Sequence, residues 1–296
     1  TFIPCSAKLP VIALFAGALF NNSAWVGWSA YFMGICAIVF SGIVLKKTKM
    51  FAGKPAPFVM ELPAYHMPRP IDILKSMGER GMSFVKKAGT VILLATILVW
   101  FLSRFNFSLQ YLPEDDMDTS ILAAFGNTLT WLFAPLGWGK WKAVVAALTG
   151  LIAKENVVGT FGTLFHYAGS VDLKDDSTAI WPQVKEYFAS GVAGYSFLAF
   201  NLLCAPCFAA IGAIKREMNN GRWTIFAIAW ECFLAYCVSL IIYQVGGLVT
   251  GEVSFNPFTI VAFILILVGL WGLFRPYKEA ATLSESEELA VGKAMA

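Results

Sequence analysis

Two cysteines bracket an Ala-Pro pair inside the apolar run Asn201-Leu-Leu-Cys-Ala-Pro-Cys-Phe-Ala-Ala-Ile-Gly-Ala-Ile214. Pro206 has no N–H and its ring clashes with the preceding turn, so a helix entering at Gly191 must kink or unwind near Cys204 and release backbone carbonyls. In lipid, such carbonyls are tolerated only against protein or beside a wet cavity. Thiols among loose carbonyls suit transient binding of a divalent transition metal. Cys204-Ala-Pro-Cys207 is also formally a CxxC motif, of the kind that lowers the pKa of its first thiol and supports redox exchange. A structural kink with two inert, buried thiols is the third reading.

A second constellation is Leu151-Ile-Ala-Lys-Glu-Asn-Val-Val-Gly-Thr-Phe161, where a lysine, a carboxylate and an amide interrupt two apolar runs. Each charge at membrane depth costs about 2.5 to 3.5 kcal/mol even on a lenient insertion scale, so these residues face a partner or a pathway. Glu155 is the carboxylate that would serve as a ligand; the alternative is a Lys154–Glu155 neighbour pair at a wet helix junction. Glu231, inside Ala229-Trp-Glu-Cys-Phe233, reads equally as a ligand or as a buried structural acid. Cys36, Cys232 and Cys237 lie in regular apolar segments, where a thiol acts as a small hydrophobe and core packing is expected. His66 and His166 have no ligand spacing, and no GxxxxGK[ST] loop occurs.

The elements that must carry these residues are membrane helices. Of 296 residues, 58% are hydrophobic and 14% charged, against roughly 25% charged in soluble domains. Mean hydropathy is +0.67. The net charge of +3 is dispersed over loops, which leaves nucleic acid no basic face to bind. The six cysteines all lie in or beside apolar segments rather than in polar loops, so they are expected as reduced thiols. The chain begins at Thr1 with no basic segment before the apolar stretch from Leu9, which reads as an internal piece of a longer protein.

Spans are expected at Ala24 to Leu45, Ala88 to Ser103, Gly191 to Ile214, Trp223 to Val249 and Pro257 to Phe274. Leu9 to Phe20, Ile121 to Pro135 and Ala143 to Phe165 are short or interrupted, and read as spans, half-helices or re-entrant segments. The fold class is therefore all-α and polytopic, with about seven or eight transmembrane or re-entrant helices. Nine Lys or Arg between Lys46 and Lys87 make that loop cytoplasmic, as Lys215, Arg216 and Arg222 do for theirs. The acidic loops Phe105 to Asp118 and Ser170 to Glu186 are then external. Within the basic loop, Phe58 to Pro70 is too proline-rich for helix. Ile71, Leu74, Met77, Met82 and Val85 follow at helical spacing, as an interfacial helix would have them.

Pro4-Cys-Ser-Ala-Lys-Leu-Pro-Val-Ile12 matches Pro206-Cys-Phe-Ala-Ala-Ile-Gly-Ala-Ile214 at Pro, Cys, Ala and Ile, with an offset of 202. Paired broken helices from two repeats are how transporters build a central ion site. A competing self-match sets Ala7-Lys8 against Ala153-Lys154 and Phe15 against Phe161; it lacks the cysteine and ranks lower.

Four ordered segments carry a family resemblance: Ile3 to Phe15, Phe58 to Tyr65, Gly150 to Thr160 and Cys207 to Glu217. Together they resemble successive motifs of the ferrous iron transport protein B family, FeoB, over Thr1 to about Pro276. The resemblance implies an N-terminal GTP-binding domain and a helical spacer, followed by two gate repeats of the kind also found in nucleoside transporters. Residues 1–45 would then end the first repeat, 46–87 form a cytoplasmic linker with the interfacial helix, 88–275 hold the second repeat and the C-terminal membrane helices, and 276–296 form a polar tail. The G domain is absent from this sequence, as is the family's Gly-Cys-Asn-Val-Pro motif, so this stretch is expected to be no enzyme by itself.

By the same resemblance, Cys5 and Cys207 match the family's paired gate cysteines and Glu155 its Ala-Lys-Glu carboxylate; Cys204 joins them as a metal-ligand candidate from its own position. The implied function is the permease part of a GTP-dependent Fe²⁺ transporter in a bacterial cytoplasmic membrane. Fe²⁺ would be cargo, with no stably bound cofactor, and GTP with Mg²⁺ would act only through the N-terminal domain. Implied partners are the lipid bilayer, the G domain and first gate repeat, a small cytosolic FeoA-like protein and further copies of the chain. A membrane thiol oxidoreductase, a nucleoside-type gate transporter and a regulatory scaffold are the alternatives.

Overall fold

The computed structural model describes residues 2–48, 69–87, 90, 93–108, 110–113, 119–154, 156–165, 181–188 and 190–275. Glu155, His66, His166, the Phe58 to Tyr65 motif, most of the two acidic loops and the tail lie outside the described residues. Helices dominate: α1 (Leu9–Phe20), α2 (Ala24–Lys46), α3 (Pro70–Lys87), α4 (Leu93–Arg104), α5 (Ile121–Phe133), α6 (Trp141–Ile152), α7 (Asn156–Leu164), α8 (Trp181–Phe188), α9 (Gly191–Leu203), α10 (Phe208–Met218), α11 (Gly221–Thr250) and α12 (Pro257–Phe274). The described residues contain no strand, only an isolated bridge between Phe105 and Tyr111.

Side chains set the helix ends. The Ser120 and Ser190 hydroxyls and the Asn220 and Asn256 carboxamides accept from N–H groups of the first turns of α5, α9, α11 and α12. Pro257 adds a fixed φ at the first position of α12, where its missing N–H costs nothing. Among the described residues, α2, α11 and α12 are long and apolar enough to cross a membrane. The segments Ile121–Leu136 and Trp141–Ile152 pass that test only as a pair, bent by 98°. Gly137 makes this bend possible: its φ is +87°, and a Cβ there would lie 2.1 Å from the Tyr243 ring.

The expected span from Gly191 to Ile214 is two helices, α9 and α10, parted at Cys204 to Cys207 as the proline demands. Ala143 to Phe165 is likewise parted, at Ala153 and Lys154, into α6 and α7. The helix at Pro70–Lys87 exposes Ile71, Leu74, Met77, Met82 and Val85, the pattern of an amphipathic surface helix. One expectation is corrected. Cys36 is exposed rather than packed in the core, because its face of α2 opens on an apolar crevice of about 560 Å³ between α2, α11 and α12.

Lipid is as apolar as leucine, so helices in it are held by close packing and buried hydrogen bonds more than by hydrophobic exclusion. Both are present. Phe15 and Phe161, each fully buried, meet edge to face at 6.2 Å, and Phe197 stacks on Phe15 at 5.1 Å. Trp138 packs edge-on against Phe197 at 5.0 Å. A polar chain runs beside these rings. The Ser196 and Ser239 hydroxyls lie 2.7 Å apart, and the Ser196 hydroxyl is 2.9 Å from the Leu136 carbonyl. Gln244 Nε2 donates to the Pro135 carbonyl at 2.7 Å, and Thr259 donates to Gln244 Oε1 at 3.1 Å. The carbonyls freed by the bend after α5 are thus satisfied by α9 and α11, with α12 locking the Gln244 amide.

Candidate functional site

The end of α9 determines the site. In an unbroken helix the Leu202 carbonyl would accept from residue 206, which is proline, and the Asn201 carbonyl from Ala205. The chain instead turns extended at Cys204, with φ −66° and ψ 169°, and both acceptors lose their helical donors. Two lysines from distant segments replace them. Lys8 Nζ donates to the Leu202 carbonyl at 2.6 Å, and Lys154 Nζ donates to the Asn201 carbonyl at 3.3 Å. Both side chains are buried, at 4% and 2% exposure. A helix C-terminus carries partial negative charge, which favours cations there.

Each lysine is delivered by its own break. Lys8 closes a 3-10 turn, Ser6–Lys8, just ahead of α1. Lys154 follows Ala153, whose φ of −150° and ψ of 130° take the chain out of α6. Two interruptions in α-helical structure and the 3-10 turn that opens α1 therefore converge on a few backbone atoms. The self-match of Lys8 with Lys154 and Phe15 with Phe161, ranked lower on sequence, has a clear structural counterpart. The lysines bind adjacent carbonyls and the phenylalanines touch.

Lys154 Nζ also lies 3.0 Å from Cys204 Sγ, which in turn faces the Asn201 carbonyl at 3.6 Å. Cys204 is buried, Cys207 is half-buried at the start of α10, and Cys5 is exposed at the start of the 3-10 turn. Cys5 and Cys207 share one local geometry, an extended residue after proline that opens a helical turn. Glu231 lies close enough to Lys8 to act on its charge, and is buried at 7% exposure. Cys232 sits at the Ala205 backbone N–H released by the break. Among the described residues no three His, Cys, Asp or Glu side chains are grouped closely enough to hold a metal. Cys5, Cys204 and Cys207 therefore do not form such a cluster by themselves, and Glu155, which directly follows Lys154, lies outside the described residues.

Asn201 was not singled out from sequence. Its Nδ2 donates to the Phe197 carbonyl at 3.0 Å, while its Oδ1 is buried without a hydrogen-bond partner among the described residues. That oxygen faces α6 at Gly150, where a Cβ would come within 3.4 Å of it. The available signal was a carboxamide three residues before Cys204 in an apolar run. The weight given to cysteines and carboxylates obscured it.

Helices long and apolar enough to cross a membrane, others broken at a shared centre, and buried cations on the freed carbonyls define an all-α polytopic membrane protein. Sequence comparison agrees: residues 85–221 match the family model for the nucleoside recognition gate. Residues 28–80 match the model for the ferrous iron transport protein B C terminus. The chain is 38% identical to the Fe(2+) transporter FeoB of Methanocaldococcus jannaschii over 253 aligned residues, covering 83% of this chain and 36% of that protein. It is 35% identical to the Fe(2+) transporter FeoB of Salmonella typhimurium and 34% identical to that of Escherichia coli, each covering 93% of this chain and 41% of the relative. No solved structure matches. The chain belongs to the ferrous iron transport protein B family, as its gate and C-terminal membrane region, and spans about two fifths of the length of these relatives.

Proposed function

We propose that this chain is the membrane permease portion of a GTP-dependent ferrous iron uptake transporter of a bacterial cytoplasmic membrane. Fe²⁺ would pass along a path lined by Cys5, Cys204, Cys207 and Glu155. The observation that carries this reading is the meeting of two helix breaks, at Ala153 and Lys154 and at Cys204 to Cys207, with the 3-10 turn Ser6–Lys8 that opens α1. Unwound carbonyls and half-helix C-termini are the means by which transporters coordinate cations inside a bilayer. Fe²⁺ lies low in the Irving–Williams order, so mixed thiolate and oxygen donors admit it by geometry and availability rather than by raw affinity. Transient sites of this sort also release the ion.

In this proposal residues 1–45 close a first gate repeat, 46–87 link it on the cytoplasmic side, and 88–275 form the second repeat with the terminal membrane helices. GTP hydrolysis would reside in an N-terminal domain of the longer protein. A small cytosolic partner and self-association would bear on that complete assembly.

The experiment is uptake of radiolabelled ferrous iron into cells expressing the complete transporter. Cys5→Ser or Cys207→Ser should abolish uptake, since Ser keeps the small polar shape but removes the thiolate. Cys36→Ser should leave it nearly intact. The Lys154–Cys204 contact lends a thiol-redox reading some support, because it puts a hydrogen-bond donor on one thiol of the CxxC pair. That reading requires Cys204 and Cys207 equally and leaves Cys5 dispensable. Normal uptake by folded, inserted Cys5→Ser/Cys207→Ser protein overturns the metal path.

A further inference from the structure

A cation path normally has to satisfy its buried acceptors when no ion is present, and here two ammonium groups already stand on them. At the end of α9 the Asn201 carbonyl and Cys204 Sγ lie 3.6 Å apart and both accept from Lys154 Nζ, and the same asparagine carries a third buried acceptor, its side-chain oxygen. Such a mixture suits a borderline divalent metal. Lys154 Nζ holds two of the three, and the third, Asn201 Oδ1, is 97% buried by residue and unpaired among the described residues. An orphaned buried acceptor is costly unless something else uses it.

We propose that Lys154 is a resident surrogate cation: its ammonium occupies a metal subsite formed by Asn201 O and Cys204 Sγ, on the residue whose side-chain oxygen stands unpaired, and an entering divalent cation displaces it. The proposal rests on the reading of this chain as a cation permease, and it assigns two residues, Lys154 and Asn201, that the thiol path alone does not require.

Geometry selects Lys154 over Lys8 as the group that moves. Lys8 makes a short 2.6 Å bond to Leu202, whereas the Lys154 contacts are longer, at 3.0 and 3.3 Å. Lys154 also projects from the turn between α6 and α7, outside both helices, on a four-carbon stem, so its ammonium can leave without unwinding a helix. Of the neighbouring charges, Lys154 acts most strongly on Lys8. A metal dication would add to that repulsion, and departure of the Lys154 ammonium relieves it. The carbonyl at the end of α9 then has a cation in either state. Because the metal must outcompete a tethered charge, it is held loosely enough to leave.

The test is anaerobic Co²⁺ titration of the full-length protein in lipid nanodiscs, read by the near-ultraviolet thiolate-to-Co²⁺ charge-transfer band. Lys154→Met should bind Co²⁺ about tenfold tighter or more, within the usual range of coupling between two competing occupants. Lys154→Arg, which preserves the charge and the donors and grips more firmly, should bind it more weakly than wild type. Asn201→Leu should weaken binding in the wild-type and the Lys154→Met backgrounds alike, and Cys204→Ser should remove the band. A lysine that merely caps α9 predicts otherwise: unchanged or weaker binding in Lys154→Met and wild-type binding in Lys154→Arg. That pattern overturns the proposal. If Co²⁺ binding depends on Cys5 and Cys207 but ignores Lys154 and Asn201, the permease reading survives and this inference falls. If neither wild type nor any variant binds Co²⁺, both fall.

Discussion

Gly150→Ala sets two opposing effects against each other at the break between α6 and α7. Alanine in a helix interior is favoured over glycine by about 1 kcal/mol. At Gly150, however, the new Cβ would lie 2.6 Å from Val157 Cγ2, closer than real Cβ contacts come. Val157 is fully buried and β-branched, so it cannot swing aside as a long side chain would. Overpacking of this kind costs about 1 to 3 kcal/mol, which leaves a net loss of roughly 1 kcal/mol. Gly42, in the last third of α2 but inside the helix, has nothing within 4 Å of its Cβ position, so Gly42→Ala keeps the propensity gain of about 1 kcal/mol. The assay is the fraction of detergent-purified protein that stays monodisperse on size exclusion after graded heating. Gly150→Ala should lose monodispersity at a lower temperature than wild type, and Gly42→Ala at a higher one. Since α6 and α7 carry Lys154 between them, Gly150→Ala should also reduce iron uptake at temperatures where it remains folded. Stabilisation of Gly150→Ala equal to that of Gly42→Ala would refute the packing argument.

Truncating either central ring, Phe15→Ala or Phe161→Ala, should cost about 3 to 5 kcal/mol and sharply lower the yield of monodisperse protein; equal yields would show that the ring cluster is not the core. Ser196→Ala removes the donor to the Leu136 carbonyl and should destabilise by about 1 to 3 kcal/mol, measured by the same heating assay, whereas Ser29→Ala, at a half-buried site on α2, should have little effect. For topology, in protein stripped of accessible native cysteines, an impermeant thiol reagent should label Lys54→Cys only from the cytoplasmic side and Asp115→Cys only from outside. Reversed labelling overturns the orientation drawn from the basic loop.

The helices were legible because membrane spans declare themselves by apolar length and because proline and charge mark where they stop. Pro206 announced the end of α9, and the charged interruption that begins at Lys154 announced the parting of α6 from α7. The 98° bend after α5 was not legible, since it depends on Gly137 fitting beneath Tyr243, more than a hundred residues away. The site was legible in its cysteines and only partly in its cations. Lys8 looked like an ordinary polar residue beside an apolar run, yet it fills the donor vacancy that Pro206 creates at Leu202. A missing N–H can be read from sequence, but the side chain that replaces it comes from 194 positions away, and only folding identifies it. Cys36 was misjudged for a related reason. An apolar helix in a membrane need not bury its small residues in protein, because lipid or a crevice will cover them as well.

The central claim is that a ferrous ion passes where the helix breaks meet and takes thiol ligands on its way. It is tested most directly by X-ray absorption at the iron edge on the full-length protein, loaded anaerobically with Fe²⁺ in nanodiscs. The account predicts sulfur scatterers in the innermost coordination sphere of the wild-type protein, and their loss in Cys5→Ser/Cys204→Ser/Cys207→Ser protein that remains folded and inserted. An iron surrounded only by oxygen and nitrogen in the wild type, or sulfur that persists in the triple variant, would contradict it.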